Sequence, residues 1–247
     1  MTGKVRTVAP SDLSYMYDKC PRCYWLKANG IVGPSDVLPG IFRDIDRMQK
    51  EGIGLESLRA LGIPAAKFIE KERVVSKPAE HGGSMLVISG YTDRRVRLDD
   101  GTLAIIDFKT SKPRVDGVAR FWRAMSAYQY AIENNSDGSA EQVTLLSLVV
   151  FSPSKFKMRT DDVTQAAYTG SLVRMDVPAD RPKFDAFLRG LGETLASTEL
   201  PRAGSCDTCR HCDEVVRMRM GALLHTVATN PELGPDMAAA IAAKVQL

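Results

Sequence analysis

The chain lacks the features that would place it in a membrane, on a secretion route or in an ATP-driven motor. None of its 247 residues belongs to an apolar run long enough to cross a bilayer as a helix. Its first stretch, "MTGKVRTVAPSDLSYMY", has no apolar signal core, so a cytoplasmic protein without membrane attachment is expected. No G-x-x-x-x-G-K-[ST] motif occurs, which excludes the phosphate-cradling loop of a helicase or ATPase motor. Histidine is scarce, with three residues, and His81 and His225 stand apart in a loop and a helical stretch, where a surface role is the ordinary one. There are no repeats and no low-complexity segments. Cysteine is missing from the whole stretch between Cys23 and Cys206.

What remains is ordinary for a soluble globular protein: 44% apolar and 26% charged residues, a net charge of +3 and a pI near 8.6. This length predicts one large domain, or one domain with appendages. Basic residues gather at Arg94, Arg95 and Arg97, at Lys109, Lys112 and Arg114, and at Arg217 and Arg219. Such groups are either solvated surface or contacts to a phosphate-rich partner.

Helical spacing is expected over 11–29, with Ser11 as the N-cap, and over 41–60, interrupted near Gly52 and Gly54. "FIEKERVVS" reads as a strand. "HGGSMLVISGYTDRRVRL" and "TLAIIDFKTS" read as two more, joined by an Asp100-Gly101 turn. A helix is predicted over 117–135. "QVTLLSLVVFSP" is apolar enough for a strand buried on both faces. Helices follow at 181–197, 213–228 and 236–245, with a cysteine-rich loop from Pro201 to Cys212. The order predicts an α/β fold with a central mixed β-sheet flanked by helices.

The hairpin "GYTDRRVRLDDGTLAIIDFKTSK" carries acid where strands carry packing residues. Folding it back brings Asp93 and Asp107 into one small volume. Two carboxylates so placed repel each other unless a cation lies between them. Mg²⁺ accepts a few carboxylates plus water and phosphate, and the Phe108 carbonyl can add an oxygen. Lys109 stands two residues after Asp107 and shares its strand face, while Phe108 points into the core. A lysine there can orient a water or stabilise negative charge on phosphorus. The plainer reading is a surface salt bridge, which the apolar run "LAIIDF" argues against.

"GYTD…IIDFKTS" resembles the core of the PD-(D/E)XK nuclease superfamily in its RecB-type form: an aspartate, Asp93, then acid-x-lysine on the next strand, here Asp107-Phe108-Lys109-Thr110. The resemblance spans about residues 11 to 212. It implies a restriction-endonuclease-like fold and a Mg²⁺- or Mn²⁺-dependent DNA nuclease. Asp93 and Asp107 would hold the metal, Lys109 would assist the attacking water, and Glu72 would match an acid on the preceding strand. Asp46, preferred over Asp44, would be the upstream helical ligand. In the family's Gln-x-x-x-Tyr helix, Tyr128 stands in place, but Ala124 stands where glutamine is expected and Gln129 is displaced. Tyr128, Gln129, Arg94, Arg95 and Lys112 would contact DNA.

The five cysteines form two groups, Cys20 and Cys23, then Cys206, Cys209 and Cys212. In a cytoplasmic chain such clustering indicates a metal site rather than disulfides. The pattern resembles the iron–sulfur branch of the superfamily, which includes CRISPR-adaptation nucleases and AddB-type subunits. That resemblance implies a 4Fe-4S cluster joining the N- and C-terminal segments, held by Cys20, Cys206, Cys209 and Cys212. The extra Cys23 and the tight C-terminal spacing depart from that branch. Two Cys-x-x-Cys pairs equally suit a structural Zn²⁺, with His211 and Cys212 spare.

The expected organisation is a nuclease domain over 1–212 and a helical extension over 213–247. The expected activity is exonuclease-like hydrolysis of DNA with single-stranded regions or free ends. DNA repair, recombination, phage DNA processing and CRISPR-type adaptation are the candidate settings, with a helicase or a recombination or adaptation protein as partner. The alternative is an inactive DNA-binding accessory protein on a nuclease fold.

Overall fold

In the computed structural model of the chain, residues 5–31, 40–70, 73–158, 161, 165–204, 206–210, 212–214 and 216–218 are described. The chain forms two compact units, Met1–Pro201 and Arg202–Leu247.

The first unit opens with a short strand, β1 (Arg6–Val8), and one helical turn, α1 (Pro10–Asp12). Ala9, not Ser11, holds the N-cap position, because Pro10 takes the first helical place, where its missing N–H costs nothing. A wider π-type turn covers Leu13–Tyr17. Helix α2 (Pro21–Ala28) starts afresh after its N-cap Cys20, so the helical spacing over 11–29 divides at the CPRC turn, where Pro21 takes the first helical place. Helices α3 (Gly40–Gly52) and α4 (Leu55–Ala60) divide at Gly52-Ile53-Gly54, as the glycines predict.

Strands β2 (Ala65–Ile69), β3 (Arg73–Val75), β4 (Ala79–His81), β5 (Ser84–Tyr91), β6 (Arg94–Leu98) and β7 (Leu103–Thr110) follow. The α/β class with helices flanking mixed sheets is present, but the strands divide between two sheets. In the first, β5 pairs with β1 in parallel and with β3 and β4 antiparallel. The second has the order β2-β6-β7-β8-β9. The run expected as one strand from His81 to Leu98 is therefore three: a turn at Gly82-Gly83 separates β4 from β5, and Thr92-Asp93 carries the chain from the first sheet to the second.

Helix α5 (Val115–Glu133) makes the crossover from β7 to its parallel neighbour β8 (Val143–Met158), the connection a parallel pair requires. Strand β9 (Ala166–Asp176), which the sequence reading left unassigned, returns antiparallel to β8. Helix α6 (Arg181–Ala196) buries Phe184, Leu188, Leu191 and Leu195, one stripe at helical spacing.

Strand β7 is covered on both faces. Leu103 and Ile105 join a large core with Leu146, Leu148, Val150 and the inward faces of α5 and α6. Ala104, Ile106 and Phe108 join a second core with Leu58, Ile63, Val96 and Val149. This double burial explains a strand that reads as almost continuous apolar sequence. The polar residues that follow, from Asp107 on, mark where the cover ends.

In the second unit, residues 207–210, 212–214 and 216–218 are helical where a loop is expected up to Cys212. No helix among the described residues is long and apolar enough to cross a membrane.

Candidate active site

The β6–β7 hairpin turns at Asp100-Gly101. Gly101 adopts φ +83°, a conformation that favours glycine, and its N–H donates to the Leu98 carbonyl. Asp100 accepts from the N–H of Thr102, 2.9 Å, and from its hydroxyl, 2.7 Å, so this acid serves the turn. The pairing Arg94↔Ile106 then sets Asp93 against Asp107 at the open end of the hairpin.

Asp93 is held by two donors. The Phe108 N–H donates to its Oδ2 at 2.9 Å, and Lys50 Nζ lies 2.8 Å from its Oδ1. Lys50 Nζ also lies 3.0 Å from Asp46 Oδ2, one helical turn earlier on α3. Lys50 thus bridges Asp46 and Asp93. Its own carbonyl accepts from Arg94 at 2.6 Å, and Gln49 beside it donates to Thr110 Oγ1 at 2.7 Å. These bonds fasten α3 across the end of β7. Asp44 faces elsewhere and pairs with the exposed Arg47.

Asp107 and Lys109 share one face of β7, with Lys109 Nζ 2.5 Å from Asp107 Oδ2. No donor in hydrogen-bond geometry reaches that buried oxygen among the described residues. Burial pushes the Asp107 carboxyl up to about 6; the Lys109 charge opposes this and the Asp93 charge adds to it. For Lys109, burial works against the charge, but the adjacent Asp107 outweighs it and the net shift is upward. Lys50 behaves alike, lowered by burial and raised overall by Asp93 and Asp46. Lys109 also stacks its ammonium over the Phe121 ring, 4.8 Å from the centroid.

A cleft of about 310 Å³, lined by Tyr15, Arg43, Asp46, Gln49, Phe108, Lys109 and Thr110, reaches this constellation at Asp46 and Lys109. Tyr128 lies inside the fold. Burial, then the charges of Asp107 and Asp93, push its phenol upward, so it sits within electrostatic reach of both carboxylates. Lys112 is exposed just beyond β7.

Three residues expected at the DNA surface, Tyr128, Arg95 and Gln129, are interior. Arg95 is 3% exposed, because its pairing with Ile105 places it on the covered face of the sheet. Gln129 is buried and donates to Glu133 and to the Val143 carbonyl, both at 3.1 Å, so it joins α5 to the start of β8. Arg94 remains partly exposed, its guanidinium over Phe68. Glu72, His211 and His225 lie outside the described residues. Lys50, Gln49, Arg43 and Tyr15 were not foreseen. The one sequence signal for Lys50 was its place four residues after Asp46, one turn along the same helix face.

The residues fit a divalent cation. Asp46, Asp93 and Asp107 are hard oxygen donors, and three carboxylates share only the two ammonium groups of Lys50 and Lys109, which suits a further cation.

The cysteines form two short turns, each within its own unit. Cys20 caps α2, and its Sγ accepts from the Cys23 N–H at 3.5 Å. Cys206 Sγ accepts from the Cys209 N–H at 3.3 Å. None of the five is in a disulfide, and Cys212 is exposed. Each unit thus presents a pair of thiols, Cys20 with Cys23 and Cys206 with Cys209, of the kind that ligates a metal.

No curated protein matches the chain. It is similar to the solved structure described as "Crystal structure of SSO0001", with 19% identity, 87% of each chain covered and a TM-score of 0.43. The family profile of the PD-(D/E)XK nuclease superfamily matches residues 33–215, and that span contains the acid-x-lysine strand, the hairpin and α3. The chain belongs to the PD-(D/E)XK nuclease superfamily.

Proposed function

We propose that the protein is a Mg²⁺- or Mn²⁺-dependent deoxyribonuclease that degrades DNA from free ends. The observation that carries this reading is the convergence of Asp93 and Asp107 from the open end of one hairpin with Asp46 from α3, beside Lys109 and under an open cleft. Asp46, Asp93 and Asp107 would hold the metal, with the Phe108 carbonyl, and Glu72 as a further acid. A metal bound there would make its water a stronger nucleophile and offset charge on the phosphate.

In hydrolysis, water adds to phosphorus and one P–O ester bond breaks, leaving a phosphate monoester on one product and a hydroxyl on the other. Lys109 is kept protonated by Asp107, so it acts as a cation and hydrogen-bond donor rather than as a base. It can orient the attacking water or hold a non-bridging phosphate oxygen. The Phe108 N–H fixes Asp93, and Gln49 fixes Thr110, so the strand end is rigid before substrate arrives. Arg43 at the cleft, Arg94 and Lys112 are the nearby groups for the DNA backbone.

The nuclease domain is assigned to 1–212 and a helical extension to 213–247. The cysteines are assigned to a structural metal: a 4Fe-4S cluster on Cys20, Cys206, Cys209 and Cys212, or Zn²⁺ on the pairs Cys20/Cys23 and Cys206/Cys209. A cytoplasmic role in DNA repair or recombination, beside a separate motor protein, is the setting that suits this chemistry.

A second reading has one observation in its favour. Lys50 already bridges Asp46 and Asp93 and offsets one of their two charges, as it would in an inactive DNA-binding relative. Incubating purified protein with end-labelled linear and circular single-stranded DNA, with Mg²⁺ or Mn²⁺, separates the two. Loss of label from linear DNA that needs the metal and Asp107 supports the nuclease. Binding without cleavage under every metal supports the second reading. Absorbance near 400 nm, as in iron–sulfur centres generally, distinguishes a cluster from roughly one equivalent of colourless zinc.

A further inference from the structure

Strand β7 stops at Thr110, paired with Phe151, but the parallel β8 continues in the same direction to Met158. Its partner β9 follows it the whole way, through Phe156↔Tyr168 to Met158↔Ala166. The two strands leave the sheet as a ribbon from the end that carries Asp107 and Lys109. Beyond Ser152 every β8 residue is exposed, as is β9 from Ala166 to Leu172.

The ribbon is separately specified. Its register shifts between Pro153 and Lys155, a bulge at its base where proline is tolerated. Opposite stands Gly170, where a Cβ would lie 2.1 Å from the Ser152 carbonyl oxygen, so only glycine lets the strands close there.

Past the bulge, chemistry alternates. Phe156 and Tyr168 sit opposite each other with ring centroids 5.1 Å apart, yet they are 58% and 70% exposed. Lys155 and Lys157 flank Phe156 in sequence and, by strand alternation, point to the other face of the ribbon. Neither strand carries an acid between Ser152 and Met158 or between Ala166 and Met175; Asp161 and Asp162 lie beyond, in the connection. An aromatic pair kept in water on one face of a narrow two-stranded ribbon, with lysines on the other, is costly as packing but suits a strand of unpaired bases, which stack on the rings while phosphates at the ribbon's edge meet the cations.

We propose that this ribbon is a second DNA-binding element that grips an unpaired strand leaving the active site. The inference rests on the DNA substrate proposed above and deepens it, naming a single-stranded segment as part of the substrate. The five residue steps from Phe151 to Phe156 span about 16 Å at about 3.3 Å each. That distance corresponds to about five stacked nucleotides at about 3.4 Å per step.

The test is fluorescence anisotropy with labelled oligothymidylate of roughly 20 nucleotides and a blunt duplex of equal length, in buffer without divalent ions. Phe156→Ala/Tyr168→Ala is expected to weaken oligothymidylate binding at least tenfold, with duplex binding changed less than about threefold. Phe156→Leu/Tyr168→Leu keeps apolar bulk on the strands without a stacking face and is expected to lose binding likewise. Lys155→Ala/Lys157→Ala is expected to reduce the salt slope of log K by about 1.4, near 0.7 per phosphate.

Unchanged oligothymidylate affinity in both aromatic variants overturns the proposal. So does equal loss on duplex, or a change of oligomeric state with DNA binding intact, which makes the ribbon a protein contact. Failure of the nuclease reading is separate: wild type that binds oligothymidylate through the ribbon but cuts nothing with Mg²⁺ or Mn²⁺ leaves this inference standing. Wild type that cuts while the ribbon variants bind normally removes it alone.

Discussion

β7 and β8 lie side by side and run the same way, and each carries a lysine just before its last residue, but the two ends are in different surroundings. Lys109 is part-buried, 2.5 Å from Asp107 and stacked on Phe121. Lys155 and Lys157 stand in water on a free ribbon. Where the cover of two cores stops over β7, charge is still partly desolvated, so each charged group is strongly coupled to its neighbours. On the ribbon water screens the same ammonium, leaving it a weak, additive contact. Burial, more than residue type, separates a candidate catalytic lysine from a steering one.

That contrast can be broken at several points. The largest expected effect is at Asp107: Asp107→Asn is expected to lower cleavage more than about a thousandfold, beyond the 10²–10³ cost of losing one preorganised donor. Gel-based cleavage of linear DNA at saturating metal measures it, and activity within tenfold of wild type would remove Asp107 from the chemistry.

The sharpest form of the comparison pairs two substitutions of the same kind. Lys109→Met is expected to cost about 10²–10³ in rate at saturating DNA. Lys157→Met is expected to leave that rate within about threefold and to act on affinity and its salt dependence. Equal effects on rate at the two positions would mean that desolvation does not distinguish them.

A smaller effect concerns pH. Burial raises the Asp107 carboxyl from its ordinary value of 3.8 to about 6, so below that pH it carries a proton and is lost as a metal ligand. With metal held below saturation, where protons compete with it for this carboxylate, the cleavage rate is expected to fall about tenfold per pH unit under pH 6. Stability moves the other way: the folded chain holds this proton more tightly than the unfolded one, so Asp107's contribution is fullest below 3.8 and declines as pH rises through about 6. A rate profile flat down to pH 4.5 would contradict the assigned cause.

The smallest is at Lys50. Lys50→Met removes the cation between Asp46 and Asp93. The metal-free protein is expected to lose about 1 kcal/mol of stability, since the pairs are part-exposed. The metal concentration for half-maximal cleavage is expected to fall a few-fold, because no lysine then competes for the carboxylates. Urea unfolding and a Mn²⁺ titration read the two, and a rise in metal requirement would make Lys50 a supporting group rather than a competitor.

Much of the site could be read from local sequence. The Asp100-Gly101 turn sets a register, and a register of period two sets which side chains share a face, so Asp93, Asp107 and Lys109 were found from spacing alone. Asp46 could be named but not chosen on physical grounds, since Asp44 on the same helix has the same chemistry; only the packing of α3 across β7 separates them. Arg95 and Gln129 were misplaced because a basic or amide side chain reads as surface until the elements covering it are known. In the structure they are interior, and Gln129 donates to Glu133 and a backbone carbonyl.

The sequence by itself determined the α/β class, the hairpin with its acid-x-lysine end, the two cysteine pairs and the superfamily. Each of these is written in neighbours a few residues apart, where turn preference and strand alternation decide. Tertiary structure alone decided that the chain changes sheets at Thr92-Asp93, that Lys50 bridges two acids from different elements, and that β8 outruns β7. Those depend on which surfaces meet across long stretches of chain and on how far each is shielded from water, and no local spacing encodes either.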